Sequence, residues 1–159
     1  MKAILLNFLI ICLVNSISLL SKPLEIGDTY PLPPFNDQFD KPAEVSSETQ
    51  LLIFVAEMEP SKVVHEVLKN ETSSTMKQKK IYFLSDIHRM PSLITRFIAL
   101  PKMRDYSYPV ALIREEGISN DLPREKGKIS LFFLNSKKIQ KIQFVSKIEE
   151  LQNSINSLK

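Results

Sequence analysis

At 159 residues, 43% hydrophobic and 25% charged, the chain has apolar material for one globular core and no composition shift that would mark a second domain. A formal net charge of +3, with no compact basic block interleaved with aromatics, argues against a nucleic-acid reader. A single cysteine, Cys12, rules out a disulfide framework, and 3 glycines leave no material for a glycine-rich phosphate cradle.

The chain opens with Lys2, an apolar run over residues 3–14, and Asn15-Ser16-Ile17-Ser18, which has the small-x-small ending of a secretory signal peptide. The expected division is therefore a signal peptide over 1–18 and one domain over 19–159, in the periplasm or secreted. A retained anchor is the alternative, but the run is shorter than the about 20 residues of a comfortable span. Ile11 before Cys12 does not suit a lipoprotein signal. Cleavage removes Lys2 and Cys12, leaving +2 and no thiol.

Residues 23–35 carry Pro23, Pro31, Pro33 and Pro34 and read as an extended lead-in. Residues 35–45 read as a hairpin turning near Asp40-Lys41. The run 51–56, LLIFVA, is too short for a helix and β-rich, as expected of a strand covered on both faces. After Pro60, Val63, Val64, Val67 and Leu68 fall at i, i+1, i+4 and i+5, one stripe of a helix. Residues 70–80 read as a solvated loop, and 81–85 as a second strand, so strand, helix and strand imply a right-handed parallel crossover.

Pro91 is placed to open a helix, and Leu93, Ile94, Phe97 and Ile98 repeat the same stripe until Pro101. Residues 102–106 add a turn, 109–113 read as a short strand and 114–128 as a charged loop. A hairpin follows, 129–134 against 138–144, with a bulge expected because Ile139 and Ile142 are three apart. Ser146-Lys147-Ile148-Glu149 reads as a capping box, and Ile148, Leu151, Ile155 and Leu158 form the apolar side of a last helix.

This order, with Ile26-Gly27-Asp28 before a proline-rich lead-in and Asp37-Gln38-Phe39-Asp40-Lys41-Pro42, resembles thioredoxin-like proteins of the redoxin and thiol–disulfide reductase type. The resemblance implies an α/β three-layer sandwich: a central mixed sheet with an N-terminal hairpin and flanking helices. Asp86-Ile87-His88-Arg89-Met90-Pro91, 100–106 and Gly127-Lys128 are similar to a group of small exported bacterial proteins of unsettled function, often labelled FAD/FMN-containing dehydrogenases. The residues give that flavin label no support. The thiol enzymes place a cysteine pair after the central strand, where a helix N-terminus stabilises a thiolate, and a proline before the facing strand. Here those places hold Glu57, Met58, Glu59, Pro60 and Ser61, and Gly127-Lys128.

The expected contact surface is the edge where those thiols would stand: Glu57, Met58, Glu59, Ser61, Asp86, His88, Arg89, Met90 and Lys128, joined by Arg104 and Tyr106. Asp86 reads either as part of a polar pocket or as a turn or helix-capping aspartate. Glu57 and Glu59 read as an acid pair or as complements to the helix dipole. Arg104 and Tyr106 read as members of the Asp86 face, or as an ion pair and a packed ring. Lys128 reads as an anion holder or a structural bridge.

Met58, His88 and Met90 are soft donors of the kind Cu(I) takes, but without Met-x-x-Met or His-x-His spacing no metal site is favoured. The leading expectation is a redox-inactive binding or accessory module without a cofactor, whose partner is another exported protein. It is not expected to bind nucleic acid or to keep a membrane span after signal cleavage. A metal-handling protein and a thiol-free oxidoreductase are the alternatives.

Overall fold

A computed structural model describes residues 22–158; the signal peptide expected over 1–18, and the boundary expected before Leu19, lie outside them. Seven strands form one mixed sheet in the order β2-β1-β5-β4-β3-β6-β7: β1 (Phe35–Asp37), β2 (Pro42–Ala43), β3 (Leu51–Val55), β4 (Ile81–Asp86), β5 (Ala111–Ile113), β6 (Ile129–Asn135) and β7 (Lys138–Val145). The centre is parallel, with β3 beside β4 and β4 beside β5, while β1, β6 and β7 run antiparallel to their neighbours. The helices are α1 (Met58–Leu68), α2 (Ser73–Gln78), α3 (Ser92–Ile94), α4 (Leu100–Arg104) and α5 (Ile148–Asn156), with a π-helical turn, Thr95–Ala99, joining α3 to α4.

β3 is the axis of the sheet, and all five of its residues are buried because both its faces are covered. Leu51, Ile53 and Val55 enter one apolar cluster with Val64 and Leu68 of α1, Met76 of α2, Met103 of α4 and Leu151 of α5. Leu52 and Phe54 enter another, which among the described residues holds no helical one. Tyr30, Leu24 and Leu32 of the lead-in cover it, together with Leu122 and Ile118 of the loop before β6. The lead-in is tied down by backbone bonds from Leu24 to Asp121 and from Tyr30 to Lys137.

Three expectations need correction. The supposed loop over 70–80 contains α2, because Thr72 and Thr75 cap each other reciprocally (Thr72 N–H to Thr75 Oγ1, 2.8 Å; Thr75 N–H to Thr72 Oγ1, 3.2 Å) and Met76 buries its side chain. The last capping box lies one residue later than expected, with the Glu150 carboxylate accepting from the Ser146 and Lys147 N–H groups at 2.9 and 3.2 Å. These two bonds hold the Glu150 carboxyl below its ordinary titration range.

The third concerns the stripe Leu93, Ile94, Phe97 and Ile98, read as a core face: all four side chains are exposed. Pro101 offers no N–H, so the chain widens just before it, and the Leu100 N–H reaches back to the Thr95 carbonyl. By contrast, the bulge in the last hairpin is present: Phe133 pairs with Lys141 and Leu134 with Ile139, which leaves Gln140 outside the ladder.

Candidate functional site

The carboxyl ends of β3 and β4 lie side by side, with Val55 opposite Ser85. In open α/β sheets this is the edge where ligands bind. β3 leads through Ala56 and Glu57 into α1. The Glu57 side chain does not cap its own helix; its carboxylate accepts the Gly127 N–H at 2.9 Å, across the cleft. Gly127 has φ +71°, a conformation suited to glycine, which aims its N–H at that carboxylate. The turn after β3 and the turn before β6 are thus joined by a hydrogen bond.

β4 delivers Asp86, whose side chain is only 2% exposed. Burying a carboxylate is costly unless its oxygens are filled by donors. Here one oxygen accepts the His88 backbone N–H at 3.1 Å and the His88 Nδ1–H at 2.6 Å, and the other accepts the Ser119 hydroxyl. With its proton on Nδ1, His88 turns the lone pair of Nε2 outward, where the Arg89 Nε–H lies at 3.3 Å. Arg124 donates to both the Ser119 hydroxyl, at 3.1 Å, and the Ser119 carbonyl, and its guanidinium lies 4.0 Å from the Asp86 carboxylate and 5.5 Å from the Phe54 ring centre.

Asp86, His88, Ser119 and Arg124 form one network, and Asp86 acts in it both as a turn aspartate and as the floor of a polar pocket. Above it is a cavity of about 270 Å³ lined by Ala56, Glu57, Asp86, His88, Arg89, Arg124 and Lys126. Arg89, Arg124 and Lys126 bring three cations to it, Glu57 and Asp86 two carboxylates. A larger hollow of about 560 Å³ lies near the opposite end of the sheet, bordered by Gln50 and Asn135. It brings together no comparable set of charged groups, so size does not identify the site.

The network is not a nucleophilic triad. The Ser119 hydroxyl donates to the carboxylate rather than lying against His88 Nε2, so no base is positioned to take its proton. The network holds one guanidinium, that of Arg124, and a histidine kept in one tautomer.

Of the residues singled out from sequence, Glu57, Asp86, His88 and Arg89 meet at the cavity. Met58 follows Glu57 in the chain and is 60% exposed, but does not line the cavity. The others are placed elsewhere. Glu59 pairs with Lys62 at 2.6 Å, and the half-buried Ser61 belongs to the first turn of α1. Met90 packs against the apolar core. Arg104 donates to the Gln38 carbonyl at 3.0 Å and faces Asp40, Tyr106 stacks on His65 with ring centres 4.2 Å apart, and Lys128 pairs with Glu125 at 2.6 Å. For Arg104 and Tyr106, the ion-pair and packed-ring reading is the one found.

Met58 and Met90 therefore do not converge on His88. Among the described residues, no three His, Cys, Asp or Glu side chains form a metal cluster. Ser119, Arg124 and Lys126 escaped sequence reasoning because the stretch holding them reads only as a charged loop. No local signal ties Ser119 to Asp86, 33 residues away.

No family model matches the chain, and no curated protein matches it. Solved structures do. A candidate thiol:disulfide interchange protein DsbE from Chlorobium tepidum superposes with a TM-score of 0.56 at 17% identity, over 84% of this chain and 97% of that one. The peroxidoxin BcpB of Mycobacterium tuberculosis gives 0.56 at 11% identity, over 84% and 95%. The thioredoxin domain of a thiol-disulfide oxidoreductase from Bacteroides vulgatus gives 0.51 at 11% identity, over 84% and 99%. At these identities the likeness establishes the fold: the chain is a thioredoxin-like α/β domain.

Proposed function

We propose that the protein is a thioredoxin-like binding or accessory module of the exported compartment, without redox chemistry of its own, which holds another exported protein at the carboxyl edge of its sheet. The observation that carries this reading is the network built on Asp86. A buried carboxylate supplied with three donors fixes His88, Ser119 and Arg124 beneath an open cavity, at the end of the sheet where the fold's thiol enzymes keep their cysteines. The described residues include no cysteine, and the one cysteine of the chain, Cys12, lies in the segment read as a signal peptide. The excess of Arg89, Arg124 and Lys126 over the two carboxylates suits a partner segment that offers an acidic side chain or a chain-terminal carboxylate.

The test is photo-crosslinking in the native cell, with the reactive side chain at the exposed Met58, next to Glu57 in the chain, or at Lys147 before α5. The expected result is one exported protein captured from Met58, not from Lys147, and lost on Arg89→Ala. Arg89 is exposed and bonds only to His88 Nε2, so its truncation leaves the fold in place. Capture unaffected by Arg89→Ala, or no specific capture from Met58, would refute this reading.

A further inference from the structure

The stretch from Arg89 to Arg104 joins the cavity to the most apolar exposed surface among the described residues. Leu93 is 69% exposed, Phe97 65%, Ile98 58% and Ile94 37%, all on one side of the α3, π-turn and α4 segment. No residue of α3 or of the π turn is buried; the segment is fastened from its ends, through Met90, Leu100 and Met103. Single exposed leucines are ordinary, but four large apolar side chains side by side mark a surface that something covers.

The charges around this face indicate what covers it. Between Asp86 and Asp105 the chain carries Arg89, Arg96, Lys102 and Arg104 and no acidic residue. Arg104 is engaged by the Gln38 carbonyl and by Asp40. Arg96 lies over the Phe97 ring, 5.4 Å from its centre, so its cation stands at the border of the apolar face with the stem alongside it. A short apolar face with a cation at its border, on a stretch that holds no acid between Asp86 and Asp105, has the composition of a segment lying in the boundary of an anionic bilayer. It is too short to cross one, and among the described residues no helix is long and apolar enough to do so.

We infer that the Leu93–Ile98 face docks onto an anionic lipid surface, its apolar side chains reaching into the acyl boundary while Arg96 and Lys102 stay at headgroup level. The binding is peripheral and reversible, since one small apolar face with two or three cations anchors weakly by itself. It leaves the cavity at the border of the docked face, with Arg89 between them.

The chain has no tryptophan, so Phe97→Trp introduces a single reporter whose emission identifies its own surroundings even if the N-terminal segment also holds the membrane. The full chain carrying this substitution is mixed with vesicles containing phosphatidylglycerol or with vesicles of phosphatidylcholine alone. The expected result is a blue-shifted emission, quenched by bromine-labelled acyl chains, with the anionic vesicles only. Gln140→Trp on β7 serves as the unmoved control.

Adding Arg96→Gln or Lys102→Gln weakens the response roughly fivefold for each cation lost, and raising the salt weakens it too. An emission unchanged by anionic vesicles overturns the inference, whatever the protein's sedimentation. A blue shift before any vesicle is added also overturns it. If that shift grows with protein concentration, the cover is a second copy; if it is independent of concentration, the cover is the chain's own apolar segment over 3–14. Matching circular dichroism across the variants confirms that they are folded.

Discussion

The two stripes Val63, Val64, Val67, Leu68 and Leu93, Ile94, Phe97, Ile98 have the same spacing and are both wholly apolar, yet have opposite fates. The first packs against the sheet, with Val64 and Leu68 fully buried beside β3 and Leu151 of α5. The second faces outward along its whole length. An apolar stripe says that a helix has a face to cover, not what covers it. α1 is the crossover between two parallel neighbours and is drawn onto the sheet by that topology. The later segment links the parallel pair β4 and β5 as well, but Pro101 and the π turn interrupt it, and it touches the core only at its two ends.

The largest effect that separates the two stripes is the cost of truncation. Leu68→Ala removes fully buried methyl groups and leaves a cavity, for an expected loss of about 2–5 kcal/mol in chemical denaturation. Phe97→Ser is expected to stay within about 0.5 kcal/mol of the parent. Equal losses at the two positions would show that the second stripe is packed in solution and would end the comparison.

A smaller effect tests how the exposed segment is held. The buried Gln38 side chain donates to the Tyr108 carbonyl at 2.9 Å and the Met103 carbonyl at 3.3 Å, and accepts the Val110 N–H at 2.8 Å. This polar clamp from the first hairpin fixes the end of α4. Gln38→Ala is expected to cost about 1–3 kcal/mol, since it strands a buried donor, and to speed amide exchange over 92–104 while leaving α1 protected. Uniform loss of protection across both helices would contradict the separate attachment.

The smallest expected effect is a pH dependence confined to the α1 side. His65 is hydrogen-bonded through Nδ1 to the Tyr108 hydroxyl at 2.8 Å and stacked on Tyr106. Its pKa lies below the ordinary 6.5, first because burial disfavours the imidazolium and second because Lys102 repels it, with Lys69 adding to this and Glu66 opposing. The unfolded chain therefore takes up the proton first. The contribution is whole above pH 6.5 and is lost as the pH falls below that value toward the folded one.

Glu66, held below its ordinary 4.5 by the hydrogen bond and charge of Lys69, and Glu150 lose their contributions only below that value, at lower pH than His65 begins to. His65→Phe is expected to flatten the stability profile between pH 7 and about 5. Parallel profiles for parent and variant would remove His65 as the cause.

Much of the architecture is legible in the chain because it is local. A five-residue β-rich run, an amphipathic stripe after Pro60 and a bulge-prone hairpin each follow from neighbours a few positions apart. The make-up of the turn after β3, acidic and without cysteine, is legible in the same way. Half of the cavity was readable too, since Asp86, His88 and Arg89 are consecutive or nearly so.

Tertiary structure alone decided the rest. It brought Ser119 and Arg124 under Asp86, joined Gly127 to Glu57 across 70 positions, and chose which of two similar apolar stripes to bury. The reason is physical: propensity and periodicity act over one or two turns of chain. The partner of a buried carboxylate or the cover of an apolar face is settled by whichever distant segment the sheet order brings alongside, and a serine or an arginine in a charged loop has no local preference that reveals it.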